Sequence, residues 1–160
     1  MQSKLLTDER ERTYALVFES GEEAASGLLV FARDEGLTAA HFTAIGAFQQ
    51  ATLGWFNLVT RDYERISIGE QVEVLSLVGN VAVHDGEPKV HAHVVVGKRD
   101  GTAHGGHLLE ARVRPTLEVT LIETPAHLRR EIDEATGLPL ISPDGSALPP
   151  RRGRPVEAGA

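Results

Sequence analysis

The chain has 160 residues, 41% of them hydrophobic, no cysteine, and a formal charge of −7 with a pI near 5.5. That length supports one buried core rather than two, and the missing thiols exclude disulfides and thiolate zinc sites, so any transition metal must be held by imidazole and carboxylate. The acidic balance argues against a nonspecific phosphate binder, which needs clustered Lys and Arg; "MQSKLLTDERER" has no apolar h-region and no apolar run nears the roughly 20 residues of a membrane span, so a cytoplasmic protein is expected.

In chain order, "TYALVFE" (13–19) alternates and reads as a strand. "SGEEAASGLLVFARDEG" (20–36) predicts a helix: Ser20 and Glu23 suggest a capping box, Leu28, Leu29, Phe31 and Ala32 follow helical spacing, and Gly36 ends it. "TAAHFTAIGAF" and "ATLGWFNLV" read as two strands with Gly46 and Gly54 at bulges or close approaches. "RDYERIS", "EQVEVLSLVGNVAVH", "KVHAHVVVG", "TAHGGHLLEA" and "RPTLEVTLIE" continue the strand series, separated by turn signals at residues 84–88 and 99–102. Thr124-Pro125 marks the start of a short helix through "AHLRREIDEATG", and from Ile141 Pro, Gly, Arg and Ala dominate, which predicts a folded region of 12–140 and a flexible tail of 141–160. The expected class is α+β, a mainly antiparallel sheet with one long helix packed on a face.

Four of the seven histidines fall in "VHAHVVVGKRDGTAHGGHL" (90–108). His91 and His93 lie two apart in a strand and share a face, as two ligands of one metal must. The turn decides the third. A two-residue Asp100-Gly101 turn would put His93 opposite Leu108 and send His107 to the other face, whereas a three-residue loop, or a bulge at Gly105-Gly106, brings His107 opposite His93 at roughly 5 Å between β-carbons. His104 is the alternative third ligand. With the turn at Asp100-Gly101 it falls opposite Gly97, roughly 13 Å along the strand from His93, so His107 is preferred. The competing reading is a set of hydrogen-bonded surface or interface imidazoles.

Other residues carry two readings each. Glu110 and Glu73 are carboxylates available for acid–base work and Arg112 for an anionic substrate, or all three are solvent-facing charges on a sheet. Gly79-Asn80 interrupts a strand, with Asn80 lining the site or serving a turn. Trp55 and Phe56 anchor a subunit interface or pack in the core; His41 and His84 are taken as structural or surface groups. In "PPRRGRP" (149–155), Arg152-Gly153-Arg154-Pro155 matches an AT-hook core, whose Arg-Gly-Arg enters the narrow A·T minor groove, with Arg151 as a phosphate contact. A solvated tail has the same composition. No Gly-rich phosphate loop, nucleophile elbow or paired-carboxylate motif points to another enzyme class.

Taken together, G-A-F after the second strand, E-V-L-S-L-x-G-N, and H-x-H followed by D-G and G-G-H-L resemble the PPC domain, the plants-and-prokaryotes conserved family, over about residues 12–140. The resemblance implies a compact α+β fold, similar to that of acetolactate decarboxylase, assembled as a homotrimer. Its histidine signature maps onto His91, His93 and His107, while His104 replaces a usually apolar position. In plants such domains accompany AT-hooks in nuclear DNA-binding proteins, which implies a DNA-associated or regulatory assembly module binding A·T-rich DNA through Arg151, Arg152, Gly153, Arg154 and Pro155. The fold's likeness to zinc enzymes with three histidines implies the alternative, a zinc-dependent lyase or hydrolase acting on a small carboxylate or ester, which ranks second because fold alone does not transfer chemistry.

Overall fold

The computed structural model describes residues 1–7, 12–124 and 128–142. Among these lie nine strands and one helix: β1 (Gln2–Thr7), β2 (Thr13–Glu19), α1 (Ala24–Asp34), β3 (Ala39–Asn57), β4 (Asp62–Ile68), β5 (Val72–His84), β6 (Glu87–Gly97), β7 (Ala103–Glu123), β8 (Arg129–Ile132) and β9 (Pro139–Ser142). All pairings are antiparallel except the brief contact of β5 with β8. The α+β reading holds, with the helix against β6 and β7. No helix among the described residues is long and apolar enough to cross a membrane.

α1 is shorter than expected and its cap differs. Glu23, not Ser20, is the cap: its carboxylate accepts from the Ala25 and Ser26 amides at 3.1 and 2.6 Å and from the Ala111 amide of β7 at 3.0 Å. The chain is still turning at Ser20, because Gly21 adopts φ +90 and donates to the Val113 carbonyl, while the Ser20 hydroxyl donates to the Pro115 carbonyl. At the other end Gly36 (φ +61) donates to Arg33 and Leu37 to Ala32, a double closure of the last turn. Leu28, Phe31 and Ala32 face the core, as their spacing predicts.

The two strands expected across 38–59 are one. In β3 the inward positions are Ala40, Phe42, Ala44 and Phe48, then Ala51 and Leu53: the register slips on both sides of Gly46, and the alternation changes phase beyond it, where the pairing with β7 slips again between Phe48 and Gln50. Gly46 has φ +148, and a β-carbon there would sit 2.3 Å from the Thr116 carbonyl oxygen of β7. Glycine lets the strand bend there and keep pairing. β3 pairs with β5, β5 with β6, β6 with β7 and β7 again with β3, so four long strands close on one another around Phe18, Phe42, Phe48, Leu77, Leu117 and Leu121.

The short helix expected over 126–137 is replaced by the β8–β9 hairpin. Turn chemistry prevails over the weak helical pattern: the Asp133 carboxylate accepts from the Thr136 amide and hydroxyl, and Gly137 takes φ +75. The Val83 amide donates to the Leu128 carbonyl, and His84 Nδ1 lies 3.1 Å from the Arg130 carbonyl, which fastens β8 beside β5.

Candidate metal centre

The loop between β6 and β7 sets the geometry. The Lys98 amide donates to the Thr102 carbonyl and the Gly101 amide to the Lys98 carbonyl, enclosing the three residues Arg99-Asp100-Gly101 with Gly101 at φ +83. The Asp100 carboxylate accepts from both the Thr102 amide and hydroxyl. This three-residue loop pairs Gly97 with Ala103 and therefore His93 with His107. Gly105 and Gly106 continue that ladder opposite Val95 and Val94 without the bulge considered for them. The slips in β7 fall instead on its other edge, along β3, the one nearest the glycines lying between Thr52 and Leu53.

Ala92, Val94 and Val96 turn into the core, so His91 and His93 stand on the outer face of β6. The ligand atoms of His91, His93 and His107 lie within 4.8 Å of one another, and their ring centroids are 5.0 to 5.5 Å apart. Nε2 of His91 is 3.2 Å from Nε2 of His93. Nitrogens about 2.0–2.1 Å from a tetrahedral zinc ion stand roughly 3.4 Å from one another, so the cluster fits such an ion after small ring rotations. His104 is not brought in: it pairs with Val96, three residues from His107, which turns it to the opposite face of β7.

Burial, reinforced by the neighbouring imidazoles and the Arg130 guanidinium, pushes His107 down to about 4. His91 is lowered by burial, Arg130 and His93. Both rings are neutral near pH 7, the state in which imidazole ligates a metal. Tyr63 of β4 stacks on His107 at 4.7 Å between centroids, with its hydroxyl 3.4 Å from Nδ1, and its own pKa is raised by burial. Arg130 of β8 is buried; it donates through Nη1 to the Pro139 carbonyl and through Nη2 to Asn80 Oδ1. These groups line a cavity of about 570 Å³ that contains all three histidines, with Trp55, Leu138 and Leu140 among its apolar walls.

The other candidates sit elsewhere. Glu110 pairs with Arg65, and both Glu110 and Arg112 line a separate cavity of about 530 Å³; Arg112 donates to the Gly21 carbonyl. Glu73 pairs with Gly97, at the far end of β6. Asn80 lies within a continuous β5, opposite His91, where it receives Arg130 rather than making a turn. Trp55 is 58% exposed on the cavity wall, and Phe56 packs edge-on against Tyr63. His41 is exposed on β3, while His84 holds β8. Arg151, Arg152, Gly153, Arg154 and Pro155 lie outside the described residues. Sequence reasoning missed Tyr63 and Arg130. Neither has a motif, and Arg130 stood in a segment expected to be helical.

The family model of the Plants and Prokaryotes Conserved (PCC) domain matches residues 6–125. The chain belongs to this family. Among solved members, a plant- and prokaryote-conserved protein from Pyrococcus horikoshii is 35% identical, with a TM-score of 0.77 over 82% of this chain and 91% of that one. A metal-containing protein from Archaeoglobus fulgidus is 32% identical, with a TM-score of 0.76 over 89% and 99%. A candidate DNA-binding protein from Ralstonia eutropha is 28% identical, with a TM-score of 0.76 over 81% and 90%. The domain's fold is shared more distantly, at 12% identity and a TM-score of 0.50 over 76% and 53%, by a Staphylococcus aureus protein similar to alpha-acetolactate decarboxylase. No curated protein sequence matches the chain.

Proposed function

We propose that this PCC-domain protein is a cytoplasmic homotrimer that holds one zinc ion per chain on His91, His93 and His107 and serves as a DNA-associated or regulatory assembly module. The observation that carries the metal reading is the convergence of three imidazoles within 4.8 Å on a chain without cysteine. Support also comes from the Archaeoglobus relative, described as metal-containing. When bound by three neutral imidazoles, zinc supplies a Lewis acid at an open coordination position. Tyr63, within hydrogen-bonding reach of His107 Nδ1, orients that ring and selects its tautomer. The DNA role is supported by the description of the Ralstonia relative and by the Arg151–Pro155 run, which three chains would present together.

The reading is tested by metal content of protein purified without a histidine tag. Near one zinc per chain is expected for the wild type and for His104→Ala, with near zero for His91→Ala and His107→Ala. Metal-free wild type would overturn the centre. The second reading, a zinc-dependent lyase or hydrolase acting on a small carboxylate or ester, is favoured by the 570 Å³ cavity around the histidines, a volume suited to a small ligand.

A further inference from the structure

The walls of the histidine cavity carry one sign of charge. Arg130 and Lys89 line it together with the three imidazoles, and among the described residues none that lines it is acidic. This occurs in a chain of formal charge −7. Arg130 is only 8% exposed, and the acceptors it meets, Asn80 Oδ1 and the Pro139 carbonyl, are neutral. Among the described residues no carboxylate pairs with it, and its Nε is buried without an acceptor. Arg12, also drawn into the fold, shows the usual arrangement: it meets Glu123 at 2.6 Å and Glu35 at 3.1 Å. A buried guanidinium without a counter-ion is costly, and that cost falls when an anion enters.

The hairpin that supplies Arg130 lies beyond the residues matched by the family model. Its Leu138, Pro139 and Leu140 line the cavity as apolar residues, as do Trp55 and Phe56 of β3. A single planar guanidinium among apolar walls suits a flat, singly charged carboxylate better than a phosphate, which calls for donors on several sides. We infer that the cavity binds a small organic carboxylate, its charged end on Arg130 and its apolar body between Trp55, Phe56 and the β8–β9 hairpin. The inference deepens the metal-centre reading and rests on it for the ligand's second contact, since the histidines share the cavity.

The test titrates zinc-loaded and metal-free protein with isovalerate, its neutral analogue isovaleramide, and inorganic phosphate, read by calorimetry and by fluorescence of the single tryptophan. Isovalerate is expected to bind both forms, and more tightly with zinc. Binding should weaken at least about tenfold for isovaleramide and at least about tenfold in Arg130→Gln, which loses a charged hydrogen-bonding partner but keeps its zinc. Because Arg130 is buried, Asn80→Asp serves as the second variant: it keeps the guanidinium, gives it an internal counter-ion, and should lose isovalerate while melting no lower than the wild type. Equal isovalerate affinity in wild type and both variants overturns the inference, as does isovaleramide binding as tightly as isovalerate. Preferential phosphate binding overturns the carboxylate assignment. If no zinc is taken up, the metal centre fails, while Arg130-dependent isovalerate binding by metal-free protein sustains the inference. Full zinc with no isovalerate binding overturns the inference and leaves the metal centre standing.

Discussion

At the scale of single residues, Glu23 shows how one carboxylate joins local structure to packing. It caps α1 and accepts from the Ala111 amide of β7, so the helix start and the sheet share one acceptor. Burial alone would raise its pKa, yet hydrogen bonds from the Ser26 side chain and from the Ala111, Ser26 and Ala25 amides outweigh it and hold the value below the ordinary 4.5. A depressed carboxylate contributes stability that is complete above the unfolded-state pKa and is lost as pH falls through the folded-state value. Glu23→Gln should therefore cost about 1 kcal/mol at pH 7, the usual worth of a helix cap. The deficit should shrink toward zero at a second, acid pH below the folded-state value, where the wild-type carboxylate is protonated. Urea unfolding at the two pH values measures this, and an equal deficit at both would show that the ionised carboxylate is not what matters. The sequence pointed to Glu23 as a cap-region residue but assigned the cap to Ser20. The turn at Gly21, held by the Val113 carbonyl some 90 positions away, is a tertiary contact that no local motif contains.

At the scale of elements, the β6–β7 hairpin converts loop length into a ligand set. Side chains alternate at every residue, so adding or removing one loop residue exchanges the faces of a strand. Deleting Arg99 should turn the three-residue loop into a two-residue one, set His93 opposite a residue other than His107, and drop zinc from near one per chain to near zero in elemental analysis. Replacing Arg99 by Lys keeps the loop length and should keep the zinc. If the deletion retains full zinc, hairpin register does not build the centre. The placement of His91 and His93 on one face was readable from the H-x-H spacing alone, and the preference for His107 over His104 followed from counting residues around the turn. What spacing left open was whether the loop holds two residues or three. That depends on Thr102 joining the ladder opposite Lys98 while the Asp100 carboxylate takes up its side-chain hydroxyl. The β8–β9 hairpin was not legible, because a short stretch rich in Arg and Glu satisfies a helical template as well as an edge strand. Docking on β5 decides between them.

At the scale of the whole molecule, the assembly reading has a direct consequence. Light scattering during size-exclusion chromatography should give a particle of three times the 17.3 kDa chain mass, and a monomer would sink the homotrimer. The same particle should bind A·T-rich duplex in a salt-dependent way, weakening as ionic strength rises because binding releases counter-ions. Removing residues 149–160 should abolish that binding while leaving mass and zinc content unchanged. Binding that survives the deletion would move the DNA contact from the Arg151–Pro155 run to the folded domain. A formal charge of −7 repels a phosphate backbone from the chain as a whole, and the contact is therefore assigned to a local arginine cluster.

The sequence by itself determined the family, the α+β class and the face shared by His91 and His93, and favoured His107 beside them, because alternation, turn residues and histidine spacing are local and periodic. Only the tertiary structure decided what surrounds those histidines. Tyr63 arrives from β4, Asn80 from β5 and Arg130 from a hairpin expected to be a helix; each comes from a separate element, and their common environment depends on how the strands close on one another. The carboxylates singled out from the sequence, Glu110 and Glu73, were brought instead to other parts of the surface. A cavity is a property of several chain segments at once, and its charge is set by which side chains those segments turn toward it, information that no single stretch of sequence carries.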